Sequence, residues 1–172
     1  MRVAIAGAGN VGRSIARELI ANGHQILLID RDPNAIKPDS VPEAEWLLAD
    51  ACELTSLEEA SLDTCDVAIA ATGDDKANLV HTLLAKTEFG VPRTVGRVNH
   101  PANEWMFDES WGVDVAVSTP RLLSALVEGL TAAGVMVDPE IGRAGDVDTA
   151  VITLKFRNGV IGTITPNTTI LV

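Results

Sequence analysis

Val3-Ala4-Ile5-Ala6-Gly7-Ala8-Gly9-Asn10-Val11-Gly12 is the stretch on which the fold turns. An apolar run, Arg2–Ala6, has the length and composition of a buried strand. It leads into glycines at positions 7, 9 and 12, and a helical pattern follows over Val11–Ala21. Glycine-rich turns are common, so the spacing alone is weak evidence. Its place between a strand and a helix makes it specific. Gly7 permits the tight turn out of the strand, Gly9 lets a pyrophosphate approach the backbone, and Gly12 lets the helix lie close to the sheet. The free N–H groups of the first helical turn then face the phosphates. Gly7, Ala8, Gly9, Asn10, Val11 and Gly12 are therefore expected to form the phosphate-facing loop of a nucleotide site.

A second strand, Gln25–Ile29, ends at Asp30, 18 residues beyond Gly12. That is near the spacing of a carboxylate that accepts hydrogen bonds from a ribose. The same charge would repel a ribose phosphate, which favours NAD(H) or an adenosine nucleotide over NADP(H). Arg31 follows directly and is expected to lie over the adenine or to point to solvent.

Outward from this loop, short apolar runs alternate with helical patterns. Strands are expected at Ala44–Leu48, Asp66–Ala70, Arg93–Val98 and Val113–Val117. Helices are expected near Ser56–Ala60, from Asp75 to about Glu88, from Ala102 to about Ser110, and from Arg121 to about Ala132. Alternation of this kind implies an α/β fold, a Rossmann-like doubly wound parallel sheet. Residues 1–130 form the binding domain and 131–172 a linker and tail. In the tail, Val151–Arg157 and Val160–Thr165 flank Asn158-Gly159, a strong signal for a short β-hairpin appendage.

Open α/β sheets bind ligands at the carboxyl ends of their strands. Asp50-Ala51 after the third strand, Thr72-Gly73 with Asp74 after the fourth, and Arg97 at the end of the fifth are accordingly candidate cofactor-binding residues. Asp74 and Asp75 also open a helix, where capping is their simplest role.

Composition removes several function classes. The 172 residues are 47% hydrophobic but only 3% aromatic, a mix suited to strands buried on both faces. A formal charge of −11 argues against nucleic acid as a partner, because phosphate backbones require basic surfaces. No apolar stretch approaches the ~20 residues needed to cross a bilayer, so a cytoplasmic chain acting from the water side is expected. The chain has neither a G-x-x-x-x-G-K-[ST] loop nor a G-x-S-x-G elbow. His24, His81 and His100 have no metal-ligand spacing and read as surface or capping residues. Cys52 and Cys65 read as small buried hydrophobes.

Residues 1–130 resemble the N-terminal nucleotide-binding domain of the Trk-type potassium-uptake regulators, the RCK or KTN domains. The resemblance runs through Gly7-Ala8-Gly9-Asn10-Val11-Gly12, Leu28-Ile29-Asp30, Asp50-Ala51-Cys52-Glu53-Leu54 and Arg97-Val98-Asn99. Its most diagnostic part is Thr72-Gly73-Asp74-Asp75-Lys76-Ala77-Asn78, the Thr-x-Asp-Asp-x-x-Asn pattern after the fourth strand. The resemblance implies a regulatory subunit, not an enzyme, beneath a membrane potassium-transporter subunit. It implies a homodimer or higher ring that responds to NAD(H), ATP or ADP. Members that prefer ATP or ADP often carry an arginine where Asn10 stands, so NAD(H) is favoured, with ATP/ADP as the alternative. Some relatives hold a cation through an acid after the proline that follows the last strand. Arg121 occupies that position here, so no metal is expected.

Residues 133–165 are similar instead to a fragment of the sheet domain of inositol-type Gfo/Idh/MocA dehydrogenases. That likeness suggests the alternative of a small NAD-dependent oxidoreductase. The Glu-Lys-Pro motif of those enzymes is absent after the fifth strand, and no proton-transfer residue stands out beside the glycine loop.

Overall fold

The computed structural model describes residues 1–118, Ser124, 152–155 and 161–164. The chain divides into two compact units, Met1–Thr119 and Pro120–Val172. The first is built on a six-stranded, all-parallel sheet. Its strands are β1 (Arg2–Ala6), β2 (Gln25–Asp30), β3 (Glu45–Leu48), β4 (Val67–Ala70), β5 (Arg93–Arg97) and β6 (Val115–Val117). The order β3-β2-β1-β4-β5-β6 reverses direction between β1 and β4, as in a doubly wound sheet. The Rossmann-like fold is the one expected.

Period-two alternation along β1 and β2 assigns each side chain to a face of the sheet. Val3, Ile5, Ile26 and Leu28 pack with Ala16 of helix α1 (Asn10–Ala21). Ala4, Ala6, Leu27 and Ile29 pack with Leu57 of α2 (Leu54–Glu59) and Ala85 of α3 (Asp75–Thr87). Alanines at 4, 6, 68 and 85 on that second face, all completely buried, let the helices lie close to the strands.

One expected helix is absent. In place of a helix from Ala102 to Ser110, the chain makes two 3-10 turns, Pro101–Met106 and Glu109–Trp111. Three side chains break the helix. The His100 ring caps the first turn by accepting from Ala102 N, and Asp108 Oδ1 caps the second by accepting from Ser110 N. Between them Phe107 drives into the core beside Gly96, where a Cβ would stand 2.9 Å from its ring. β6 is also two residues shorter than expected, because the Val113 amide bonds to Asp108 O instead of the ladder.

In the second unit, Ile152–Lys155 and Ile161–Ile164 form an antiparallel pair, the hairpin appendage expected of the tail. A two-residue turn on Asn158-Gly159 would set Lys155 opposite Gly162; the pairing places it opposite Ile161. The register is thus offset by one residue from the one the Asn-Gly signal implies. The expected helix Arg121–Ala132, Arg121 itself and the linker lie outside the described residues, apart from Ser124, which is helical.

Candidate functional site

The carboxyl ends of β1 to β5 surround one cavity of about 400 Å³, at the point where the strand order reverses. Gly7, Gly9, Asn10 and Val11 enter it from the β1–α1 loop. Gly7 has φ +105°, and a Cβ there would meet the Ala71 and Thr72 backbone at 2.9 Å, so only glycine lets β1 and β4 end this close together. Ala8 and Gly12, both expected at the site, do not line the cavity; they build the loop instead. Ala8 is completely buried, and its amide reaches Asp30. A Cβ on Gly12 would lie 1.8 Å from the Gly7 carbonyl oxygen, so this glycine permits the approach of α1.

Asp30 and Arg31 line the cavity from β2. Asp30 Oδ2 accepts from Ala8 N at 2.8 Å and Oδ1 accepts from Asp32 N at 2.9 Å. Each oxygen keeps lone-pair capacity for a sugar hydroxyl. The Arg31 side chain is mostly exposed and lies 3.4 Å from the Asp50 carboxylate, at the crevice mouth.

The turn after β3 contributes Asp50, Ala51 and Cys52. Asp50 Oδ1 accepts from Cys52 N at 2.9 Å, and the Cys52 thiol approaches Ala77 O at 3.6 Å. Cys65 is buried as expected, but Cys52 is only partly so and stands on the cavity wall. Burial, reinforced by the Asp50 charge, pushes the Cys52 thiol up to about 11. It is a weak nucleophile at neutral pH.

Thr72, Gly73 and Asp74 follow β4, and Arg97 ends β5. The Thr-x-Asp-Asp-x-x-Asn pattern now has a physical account. Asn78, completely buried, accepts at Oδ1 from Thr72 N (3.0 Å) and Thr72 Oγ1 (2.7 Å). Its Nδ2 donates to Arg97 O at 2.8 Å and to Thr72 O at 3.3 Å. One side chain thereby ties the ends of β4 and β5 together. Asp74 caps α3 by accepting from Lys76 N. Asp75 does more than cap. Its oxygens accept from Asn99 N (2.6 Å), Asn99 Nδ2 (3.0 Å), His100 N (3.0 Å) and Asn103 Nδ2 (2.8 Å), fastening the segment after β5 to α3.

His81 corrects a further expectation. It is a fully buried residue of α3, not a surface or capping one. Burial pushes its pKa down, against the opposing pull of the Ala51 carbonyl.

The cavity carries Asp30, Asp50 and Asp74 against Arg31 and Arg97. Among the described residues the Arg97 guanidinium has no partner, which leaves a cation directed to no internal acid. Loop amides and Arg97 suit an anion, while the paired oxygens of Asp30 suit a diol. The geometry is that of a crevice for a phosphorylated sugar. Among the described residues no cluster of His, Cys, Asp or Glu is arranged to hold a metal ion.

A family model described as the TrkA-N domain matches residues 3–119. This chain belongs to the TrkA-N family. The Trk system potassium uptake protein TrkA of Mycobacterium tuberculosis is 56% identical over 154 residues, covering 90% of this chain and 70% of that protein. Among solved structures, GsuK bound to ADP is 26% identical with a TM-score of 0.64, covering 75% of this chain and 33% of that one. The GsuK channel bound to NAD aligns with a TM-score of 0.65 at 24% identity, covering 89% of this chain and 26% of that one, and is a likeness of fold. The TrkA-N match ends close to where the first compact unit does. The expected likeness of residues 133–165 to dehydrogenase sheet domains falls mostly outside the described residues.

Sequence reasoning missed Ile29, Ala71, Cys52 and Ala77 as cavity residues. Cys52 and Ala77 face the cavity because α3 packs beside the turn after β3. That contact between distant segments leaves no local signal.

Proposed function

We propose that this TrkA-N chain is the nucleotide-binding regulatory subunit of a Trk-type potassium-uptake system. It holds NAD(H), with ATP or ADP as the alternative occupant, at the carboxyl edge of its sheet. The observation that carries this reading is the extended identity to a TrkA potassium-uptake protein, which spans most of both chains, beside a TrkA-N match over residues 3–119 that contains every crevice residue. The ADP bound by the GsuK relative supports an adenine nucleotide. Asp30 as a diol acceptor supports a ribose without a 2′-phosphate, and Asn10 in the loop supports NAD(H).

In this role the loop amides bind phosphate, Asp30 grips ribose hydroxyls, and Arg97 supplies charge to the anionic portion. Nucleotide regulates by binding one arrangement of assembled subunits more tightly than another. The partner is a membrane potassium-transporter subunit, reached from the cytoplasmic side by a homodimer or larger ring. No helix among the described residues is long and apolar enough to cross a membrane, which fits a peripheral role. The chain is a regulator and not an enzyme.

Thermal unfolding with NADH or ADP tests the proposal. Sub-millimolar nucleotide should raise the melting temperature by several degrees, and Asp30→Ala should abolish most of the rise. An Asp30→Ala protein that responds as the parent does would sink the assigned site.

A further inference from the structure

We propose that His81 is a positioning residue of the nucleotide crevice, its imidazole holding the Ala51 peptide so that the wall after β3 is set before a nucleobase arrives. The inference rests on the nucleotide reading above. His81 is completely buried in α3, and its Nδ1 lies 3.0 Å from Ala51 O. A carbonyl only accepts, so Nδ1 carries the proton and Nε2 is left as a bare acceptor. Nε2 is buried and, among the described residues, has no hydrogen-bond partner. A buried acceptor without a partner works against folding, and a leucine at this position would fill similar space without that penalty. Packing therefore does not account for the ring; its contact with Ala51 does.

Ala51 is the centre of the three-residue turn Asp50-Ala51-Cys52, all of which lines the crevice. α3 grips this turn at two points one helical turn apart. Ala77 O receives the Cys52 thiol, and His81 Nδ1 donates to Ala51 O. Ala77 itself also lines the crevice. Among the described residues, the Ala51 N–H has no acceptor. The unpartnered Ala51 amide and the Asp50 carboxylate thus stand on adjacent residues of the crevice wall. An exocyclic amine next to a ring nitrogen, as on adenine, is the complementary edge. Fixing both groups in the empty protein removes an ordering cost that binding would otherwise carry.

The test compares the full-length parent, His81→Leu and His81→Asn in two measurements. One is calorimetric titration with ADP. The other is the rate at which N-ethylmaleimide alkylates Cys52 without nucleotide, located by peptide mass spectrometry. Leucine keeps bulk and loses the donor, whereas asparagine keeps a donor near the Nδ1 position. The expected result for His81→Leu is ADP affinity lowered about tenfold and faster Cys52 alkylation, with the ligand-free melting temperature within about 3 °C of the parent. His81→Asn should bind ADP within about threefold of the parent and keep the parent's alkylation rate.

If His81→Leu binds ADP and alkylates as the parent does, the inference is overturned. It is also overturned if His81→Asn loses as much affinity as His81→Leu. Should His81→Leu not fold, the asparagine variant alone decides by retaining or losing affinity. If the parent itself binds no ADP, the nucleotide reading fails instead, and the Cys52 rates still report whether His81 holds the wall.

Discussion

Gly9 and Gly12 stand within one helical turn of each other, yet substitution should separate binding from folding between them. A Cβ at Gly9 meets nothing within 4 Å, whereas one at Gly12 lies 1.8 Å from the Gly7 carbonyl oxygen. Gly12→Ala must push α1 from the sheet and should cost about 3 kcal/mol, read by urea denaturation. Gly9→Ala should leave stability unchanged to within about 0.5 kcal/mol. Its methyl group instead occupies the approach of the pyrophosphate, so NADH binding should weaken at least tenfold by titration. Equal stability losses in the two variants would contradict this division of roles. Cys52 offers a second residue-scale check. Because it lines the crevice while Cys65 is buried in the core, bound NADH should slow its alkylation by N-ethylmaleimide several-fold, measured at pH 8. An unchanged rate under saturating nucleotide would place the ligand elsewhere.

At the scale of elements, α3 organises the site more than the glycine loop alone suggests. Asp75 takes up four donors from the segment after β5, and Asn78 joins the ends of β4 and β5. Burial opposes the Asp75 charge, but the Asn103, Asn99 and His100 donors outweigh it and hold its pKa below the ordinary carboxylate value. Asp75→Asn places an amide donor among these donors and should cost about 2 kcal/mol in urea denaturation. The depressed pKa means that the contribution is complete above the unfolded-state value near 3.8 and is lost as pH falls through the lower folded value. The Thr72-to-Asn78 pattern was legible as diagnostic, but its use as a strand-end clasp appears only when β5 is set beside β4. The segment from Pro101 to Trp111 was misread for a related reason. Its composition suits a helix, and long-range partners, Asp75 on Asn103 and Gly96 beneath Phe107, select 3-10 turns instead.

For the whole molecule, the parallel, doubly wound sheet and the position of the crevice were legible because short buried strands alternated with helices. Nearly all of the expected crevice residues reach it, since strand ends converge by topology and not by local detail. His81 escaped because burial is a property of the assembled layers, and the hairpin register escaped because an Asn-Gly pair does not fix loop length. His81 should also leave a signature in global stability. Its pKa is pushed below 6.5 by burial, so the unfolded chain takes up a proton at a higher pH than the folded one does. Stability from this group is complete above pH 6.5 and falls as the pH drops below it, by up to about 1.4 kcal/mol per pH unit. Urea denaturation between pH 7.5 and 5.5 should show that decline in the parent and its loss in His81→Leu.

In the proposed site the β1–α1 loop and Asp30 act together on one nucleotide. Calorimetric titration of NADH and ADP into the full-length chain, alongside Asp30→Ala, tests it most directly. Saturable one-site binding below millimolar concentration, weakened at least tenfold by Asp30→Ala, is the expected result. No heat of binding from the parent, or equal affinity in the variant, would contradict it.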